Sequence, residues 1–162
     1  MTRFICEPLA KRHDRAAFHC GNAELDSYLH HYAGQDMRRR VAAVFVMVPR
    51  EQSQRVVGFY TLSSASILLK ELPPQAARKL PRYPHVPAIL LGRLARDLDY
   101  PGTGRLLLLD ALARSLRCCE EIAAAVVLVD AKHEAARRFY GRYGFEEVPG
   151  ELVRPGAVAV VA

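Results

Sequence analysis

The sequence predicts a mixed α/β domain in which helices flank a central sheet. Apolar residues make up 51% of the 162 positions and charged residues 25%, a balance that supports a buried core. Strand-like and helix-like segments alternate in the order strand, helix, three strands, helix, strand, helix, two strands. Because 162 residues is close to one average domain and no repeat or long linker interrupts the chain, we expect a single domain over residues 1–162.

The first half of the chain is predicted to hold three strands and two helices. Asn22 is an N-cap for a helix that reaches about Ala33, since its side-chain oxygen accepts from free amides of the first turn. Pro74 opens a short helix over 75–80, because proline at the first helical position loses no needed hydrogen bond. Runs rich in β-branched and aromatic residues predict strands at 3–9, 42–48 and 55–63, the last two paired as a hairpin.

The second half predicts a strand, a glycine turn and a helix, followed by a buried strand and a second helix. The strands are expected at 88–95 and 122–129, and the helices from about 105 to 117 and over 132–143. On the first of these helices one side is expected to carry Leu108, Leu109, Leu112, Ser115 and Leu116. Gly144 suits a left-handed C-terminal cap of the second, and strands at 145–148 and 157–161 complete the sheet.

Charge, hydropathy and cysteine content limit the class of protein. The net charge of +6 favours a polyanionic partner, either nucleic acid or a phosphorylated ligand. The longest apolar runs, at 42–49 and 122–129, are eight residues long against the roughly 20 that a membrane helix needs, and charged residues break any signal peptide. Neither a membrane association nor a metal site is expected, and the expected location is the cytoplasm. The four cysteines lack metal-ligand spacing and are predicted to be mostly buried apolar groups: Cys6, Cys20, Cys118 and Cys119.

A glycine turn at the start of the 105–117 helix is the strongest local indication of a binding site. Gly102-Thr103-Gly104 follows a predicted strand, and unpaired amides at a helix N-terminus bind anions with help from the helix dipole. Taken alone, the same turn is better explained as a sharp connection between a strand and a helix. It matches neither the P-loop nor the complete dinucleotide fingerprint.

Several separated motifs nevertheless occur in a recognisable order. They are the Leu-Gly-Arg-Leu-Ala-Arg-Asp run at 91–97, the glycine turn, and the Phe-Tyr-x-x-Tyr-Gly-Phe run at 139–145. Upstream stand Phe-His-Cys-Gly at 18–21, Leu-Asp-Ser-Tyr-Leu at 25–29, Val-Gly-Phe-Tyr-Thr-Leu-Ser at 57–63 and Leu-Pro-Arg-Tyr-Pro at 80–84. Over residues 3–150 the chain resembles the GCN5-related N-acetyltransferases (GNAT), and in particular the acetyltransferase toxins of bacterial type II toxin–antitoxin pairs. The resemblance implies a mixed sheet of six to seven strands flanked by about four helices.

The resemblance also implies a cofactor and a set of site residues. Acetyl-CoA would lie along the strand at Leu94, Ala95 and Arg96, with its pyrophosphate on the turn amides of Gly102, Thr103, Gly104 and Arg105. Tyr140 would give a proton to the leaving thiolate. A tyrosine with a pKa near 10 is protonated at neutral pH and can act in this way.

In the toxin subgroup the acceptor is the α-amine of an aminoacyl-tRNA, and its acetylation blocks translation. Such an amine titrates near 7.7–8, whereas a lysine titrates near 10.4, so no strong general base is demanded. Glu71, His85 and Glu134 are possible helpers, although an exposed structural role fits each. Basic residues predicted to bind tRNA phosphates are Arg38, Arg39, Arg40 and Arg93. The subgroup implies a ribbon-helix-helix antitoxin, and a homodimer is left open.

The pyrophosphate turn departs from the family pattern. Pro101 stands where the family has Gln or Arg, and Arg105 and Leu106 follow Gly104 where a small residue is usual, so the loop is two residues short. Arg105 could offset this by pairing with a phosphate. Two alternatives therefore stay open: a GNAT enzyme that acetylates a small amine or a protein, and a degenerate, non-catalytic GNAT module that binds RNA or a partner protein.

Overall fold

The computed structural model describes residues 3–131, 134–148 and 157–161. These residues form two compact units: one contains Met1–Ser63 and Arg93–Ala113, and the other contains Ser64–Gly92 and Arg114–Ala162. The expected start of the last helix at 132–133 lies outside the described residues. No helix within the described ranges is long and apolar enough to cross a bilayer.

The described residues form seven strands, and the α/β class predicted from the sequence is confirmed. The strands are β1 Phe4–Pro8, β2 Ala43–Pro49, β3 Gly58–Leu68, β4 His85–Arg96, β5 Val126–Asp130, β6 Glu146–Glu147 and β7 Ala157–Val161. Hydrogen-bonded neighbours follow the order β1-β2-β3-β4-β5-β7-β6. Strands β4 and β5 are parallel, with Ala88 opposite Val126 and Leu91 opposite Val129, whereas β1/β2, β2/β3, β5/β7 and β6/β7 are antiparallel.

Four of the five α-helices in the described ranges have eight residues or fewer, and two of the five run into π-helical turns. They are α1 Ala23–Ser27, α2 Ala33–Arg38, α3 Pro74–Ala77, α4 Thr103–Cys118 and α5 Glu134–Gly141. A π-helical turn, Tyr28–Tyr32, joins α1 to α2, and another, Cys119–Ala123, follows α4. Asn22 caps α1 as predicted, its Oδ1 accepting from the amides of Glu24 and Leu25 at 3.0 and 3.2 Å.

Each unit has its own apolar core. In the first, Phe18 meets Phe59 edge to face with ring centres 5.5 Å apart, and both side chains are fully buried together with Leu29 and Val46. The second core draws on β3, β4 and β5, and its buried residues are Ile67, Leu72, Val86, Ala88, Val126 and Leu128. Burial of these faces stabilises both units by the hydrophobic effect.

The predicted helix end at Ala33 is wrong, because helical structure continues to Arg38. Inserting the π-helical turn shifts the register by one residue, which places Ala33 in the core and Asp36 within hydrogen-bond reach of the Tyr28 hydroxyl, at 2.9 Å. The two segments α1 and α2 are thereby continuous. The arginine-rich segment begins on a helix instead of in a loop.

Two further expectations are corrected. The strand predicted from Ile122 begins at Val126, and Ile122 lies in the second π-helical turn with 78% of its surface exposed. On α4 the predicted side is correct for Leu108 and Ser115, which are buried together with Leu107 and Ala111, and wrong for Leu109 and Leu116, which are exposed. The buried side of α4 is centred about one residue earlier in the chain than the predicted side, and the same helical period is compatible with both. The four cysteines are each mostly buried, as predicted, and none is fully buried.

Candidate active site

The turn between β4 and α4 has the features of an anion site. Gly102 has φ = +83°, a left-handed conformation that suits glycine, and a Cβ placed on it would meet no atom within 4 Å. The Thr103 hydroxyl donates to the carbonyl of Tyr100 at 2.7 Å, which directs this side chain back into the turn. Because α4 begins at Thr103, its first amides have no intrahelical acceptor.

Two arginines lie close to these amides along the chain and in space. The Cδ atom of Arg96 is 3.9 Å from the place a Cβ on Gly104 would occupy, and its guanidinium donates to the carbonyl of Asp97 at 3.2 Å. Arg105 is exposed on the first turn of α4. Positive charge at a helix N-terminus is unfavourable towards the helix dipole, so an anion bound there would relieve that repulsion.

The two other predicted cofactor residues on β4 differ in environment. Ala95 is in the apolar core, and its carbonyl oxygen lies 3.3 Å from the Cβ position of Gly58 on the neighbouring strand. Leu94 is half-buried. The paired part of β4 opposite β5 ends at Leu91, so both residues lie on the extension of β4 beyond that pairing. What Ala95 offers to a ligand is therefore its backbone.

Asp97, which sequence reasoning did not single out, holds the turn in place. Its side chain is only 2% exposed, and it accepts from the amides of His19 at 3.0 Å and Asp99 at 2.9 Å. The guanidinium of Arg55 lies 3.2 Å from the same carboxylate. The backbone amide of Asp97 donates to the carbonyl of Val57 at 2.8 Å. One buried carboxylate thus joins the 18–22 loop, the end of β4 and the turn before α4.

Arg55 reinforces this arrangement from the β2–β3 connection. Its guanidinium donates to the carbonyl of Ala17 at 2.9 Å, lies 3.7 Å from the carboxylate of Asp99, and is 5.6 Å from the ring centre of Tyr100. The amide of Leu98 adds a bond of 2.9 Å to the carbonyl of His19. The residues that precede the turn are therefore held by contacts within the protein.

Arg93, predicted to bind tRNA, lies over an aromatic ring. Its guanidinium carbon is 3.6 Å from the ring centre of Tyr28, a close cation–π contact. The Tyr28 ring also stacks on Phe59 at 6.2 Å. Burial raises the pKa of Tyr28 to about 12, helped by its bond to the Asp36 carboxylate. The Tyr28 hydroxyl is therefore a permanent donor, and Arg93 is oriented by the ring beneath it.

The predicted arginines at 38–40 lie at the C-terminal end of α2, where Arg39 and Arg40 are exposed. Arg40 has φ = +57°, and the helix ends with the Val41 amide bound to the Asp36 carbonyl and the Arg40 amide bound to the Met37 carbonyl. This is a Schellman ending with arginine where glycine is usual. Positive charge here is favourable towards the helix dipole.

Arg15 joins this basic surface, although no sequence signal identified it. Its Nη1 atom lies 3.1 Å and that of Arg38 3.4 Å from the Cβ position of Gly34. Two guanidinium groups that converge on one glycine repel each other in the absence of a counter-ion. Such a pair favours a polyanionic ligand.

Tyr140, the predicted proton donor, belongs to the second unit. It is the buried residue of α5, with ring centres 5.4 Å from Phe139 and 5.5 Å from Phe145. Burial raises its pKa well above the usual value, and the negative charge of Asp130 adds to the increase. The turn after α5 closes at Gly144, whose φ of +88° confirms the predicted left-handed conformation.

The possible helper residues have different surroundings. The Glu71 carboxylate accepts from the amide of Leu68 at 3.3 Å and so caps its own turn. Glu134 is exposed and lies 3.6 Å from the guanidinium of Arg137. His85 is exposed at the start of β4. Within the described ranges, no group of three or more His, Cys, Asp or Glu residues is arranged to hold a metal ion.

The order of the sheet, the glycine turn after β4 and the buried tyrosine of α5 define the class as a GNAT-like α/β fold. No family model matches the chain. It is 34% identical over 160 residues to the probable toxin TacT of Sinorhizobium fredii, an alignment that covers 93% of this chain and 88% of that relative. It is also 36% identical over 138 residues to the tRNA-acetylating toxin of Mycobacterium tuberculosis, covering 84% and 80%.

Solved structures agree with this assignment. AtaT complexed with acetyl-methionyl-tRNAfMet superposes with a TM-score of 0.88 at 25% identity, covering 98% of this chain and 94% of that one. AtaTR bound with acetyl-CoA gives 0.83 at 25% identity, covering 99% and 95%. The chain belongs to the GNAT-fold family of tRNA-acetylating toxins of type II toxin–antitoxin systems.

Proposed function

We propose that this chain is an acetyl-CoA-dependent N-acetyltransferase that acetylates the α-amine of aminoacyl-tRNA and blocks translation. The observation that carries the proposal is the open turn at Gly102, where helix amides without intrahelical acceptors lie beside Arg96. Family membership supplies the substrate class, since relatives are a tRNA-acetylating toxin and a toxin solved with an acetylated methionyl-tRNA.

The shortened turn is compatible with a diphosphate. Pro101 is exposed and precedes the helix, so its missing N–H is not one of the α4 amides, and Leu106 is 43% exposed and does not occupy the seam between helix and sheet. We assign the diphosphate to the amides of Gly102, Thr103, Gly104 and Arg105, with charge from Arg96 and Arg105. Backbone groups of Leu94, Ala95 and Arg96 would pair with the pantetheine arm.

Tyr140 is the proposed proton donor. Acetyl-CoA supplies an activated thioester when bound. The acceptor nitrogen would bond to the acetyl carbon as the carbon–sulfur bond breaks, and the sulfur would take a proton from the Tyr140 hydroxyl. The proton that the acceptor nitrogen loses would pass to solvent, and solvent would return a proton to Tyr140 at the end of the turnover. Because burial and Asp130 raise the pKa of Tyr140, its proton is present throughout the physiological range.

The basic surface of the first unit is the proposed tRNA contact. Arg39 and Arg40 are exposed at the end of α2, Arg15 converges with Arg38, and Arg93 is oriented by Tyr28. Lysine or arginine contacts to phosphates release counter-ions, so tRNA binding should weaken steeply with salt. Such an enzyme needs an inhibitor in the cell that makes it, for which a ribbon-helix-helix antitoxin is our proposal, together with a cytoplasmic location and a homodimer.

The test is transfer of label from radioactive acetyl-CoA to charged tRNA. We expect label on the amino acid, released with it by mild alkaline deacylation, and greatly reduced transfer by Tyr140→Phe. Labelling of a small amine or a protein, independent of tRNA and insensitive to salt, would instead support an enzyme with a different acceptor. Absence of saturable acetyl-CoA binding by calorimetry would leave only the non-catalytic binding module.

A further inference from the structure

A basic, partly aromatic cavity lies in the second unit, among residues that the proposed chemistry does not use. Its volume is about 590 Å³, within the usual range for small-ligand sites. The walls come from the turn after β3, from α3 and from the proline-rich segment before β4. That segment contains the Leu-Pro-Arg-Tyr-Pro run at 80–84, a motif to which the proposed chemistry gives no role.

The aromatic wall of the cavity is Tyr83, which is 71% exposed. A tyrosine this exposed contributes little to the hydrophobic core, so packing in the core does not explain why an aromatic residue stands at this position. Pro81 and Pro84 restrict the backbone around it, and the Leu69 amide donates to the Pro84 carbonyl at 2.9 Å. The ring is therefore displayed on a stiffened segment, which lowers the entropic cost of binding a flat partner.

The charge of the cavity is positive. Lys70 and Arg82 line it and are both exposed. The neighbouring anion, Glu71, accepts from the backbone amide of Leu68 and so directs its carboxylate towards its own turn. Aliphatic groups of Leu69 and Ala77 complete the lining. The cavity thus combines a flat aromatic face, an apolar wall and two cations.

This combination fits an unpaired nucleotide. Single-stranded RNA is bound by stacking of its bases on aromatic side chains and by cations that follow its phosphates, whereas paired bases hide their faces within the duplex. We infer that the cavity at Tyr83 is a subsite for a single-stranded nucleotide of the RNA substrate, with the base on the Tyr83 ring and the phosphate between Lys70 and Arg82. The inference rests on the proposed function and assigns a second contact to the same substrate.

The test uses fluorescence anisotropy to measure binding of a labelled single-stranded RNA hexamer that ends in cytidine-cytidine-adenosine. The same sequence is also measured within a blunt-ended duplex. Tyr83→Ala should weaken hexamer binding roughly tenfold and leave duplex binding unchanged, whereas Tyr83→Phe keeps the stacking surface and should bind as the unmodified chain does. Tyr32→Ala is the matched control, since Tyr32 is another exposed tyrosine, at 56%, on the first unit. Replacing Lys70 and Arg82 by alanine should reduce the salt dependence of hexamer binding.

Acetyl-CoA binding, followed by calorimetry on the same variants, separates the two proposals. It should be unaffected by Tyr83→Ala. Loss of hexamer affinity on this substitution supports the subsite even if labelled acetyl is never transferred, in which case the proposed activity fails alone. Hexamer binding unchanged by Tyr83→Ala overturns the subsite whether or not the chain acetylates tRNA. The subsite is likewise overturned if the substitution changes only the sedimentation of the chain or its binding to a protein partner.

Discussion

Replacement of Asp97 by asparagine should weaken both the fold of the first unit and its affinity for acetyl-CoA. The carboxylate accepts from the amides of His19 and Asp99 and faces the guanidinium of Arg55. Asparagine keeps the size of the side chain but has a single acceptor oxygen, so at least one of these partners is lost. Hydrogen bonds to a buried charged group contribute about 1.5–3 kcal/mol each.

The expected loss in the free energy of unfolding is about 2 kcal/mol, below the 3–5 kcal/mol typical of a broken buried ion pair. The reason for the smaller figure is that Arg55 retains Asp99 at 3.7 Å and the Tyr100 ring. For a chain of this length such a loss lowers Tm by about 4–8 °C. Loosening of the turn should also raise Kd for acetyl-CoA, measured by calorimetry well below the new Tm.

Asp26→Asn is the matched control. The Asp26 carboxylate accepts from the amide of Cys20 at 2.9 Å, so it holds the same 18–22 loop without touching the turn before α4. We expect this variant to lose stability and to bind acetyl-CoA normally. Equal loss of acetyl-CoA affinity in both variants, or none in Asp97→Asn, would refute the idea that Asp97 positions the turn.

Three further results are expected. Tyr140→Phe should lower kcat roughly 100-fold or more, and the unmodified enzyme should show no alkaline loss of rate from this group up to about pH 10, since burial raises the pKa of Tyr140; an alkaline limb that Tyr140→Phe removes would contradict this. Arg40→Gly should raise stability by about 0.5–1 kcal/mol in urea unfolding, because Arg40 has a left-handed φ, whereas Arg39→Gly, at φ = −85°, should lower it. Burial disfavours the charged form of Glu7, but hydrogen bonds from His13 and Arg12 outweigh this effect and lower the pKa of Glu7 below 4.5. The stability that Glu7 contributes is therefore present above pH 4.5 and is lost as the pH falls through the lowered pKa. Glu7→Gln should accordingly flatten the acid side of a profile of Tm against pH.

Features set by neighbouring residues could be predicted from the sequence. The N-cap at Asn22, the helix opened by Pro74, the left-handed Gly144 and the glycine turn all depend on conformational preferences of a few adjacent residues. Because these features depend only on adjacent residues, they can be predicted from a single sequence. The class of fold follows from the same alternation of apolar periods.

Features that depend on residues far apart in the chain could not be predicted from the sequence. The carboxylate of Asp97 meets His19 and Arg55, positions 78 and 42 residues away in the chain, and nothing local distinguishes it from Asp99 beside it. The inward side of α4 and the π-helical turn at Tyr28–Tyr32 depend on what packs against them. Periodicity defines an apolar face to within about one residue, and only tertiary packing selects among the neighbouring choices.

The structure also explains how the turn tolerates its unusual sequence. An anion site made of backbone amides needs a helix that begins at the right residue and a backbone that stays open in front of that helix. Neither requirement depends on which side chains stand at positions 101 and 106, here Pro101 and Leu106. Here the start of α4 is set by the left-handed Gly102, by the Thr103 hydroxyl bound to Tyr100, and by Asp97 behind the turn. We propose that these contacts support the turn in place of a longer glycine-rich loop, so that the departure from the family pattern changes how the turn is supported and would leave its amides for the diphosphate.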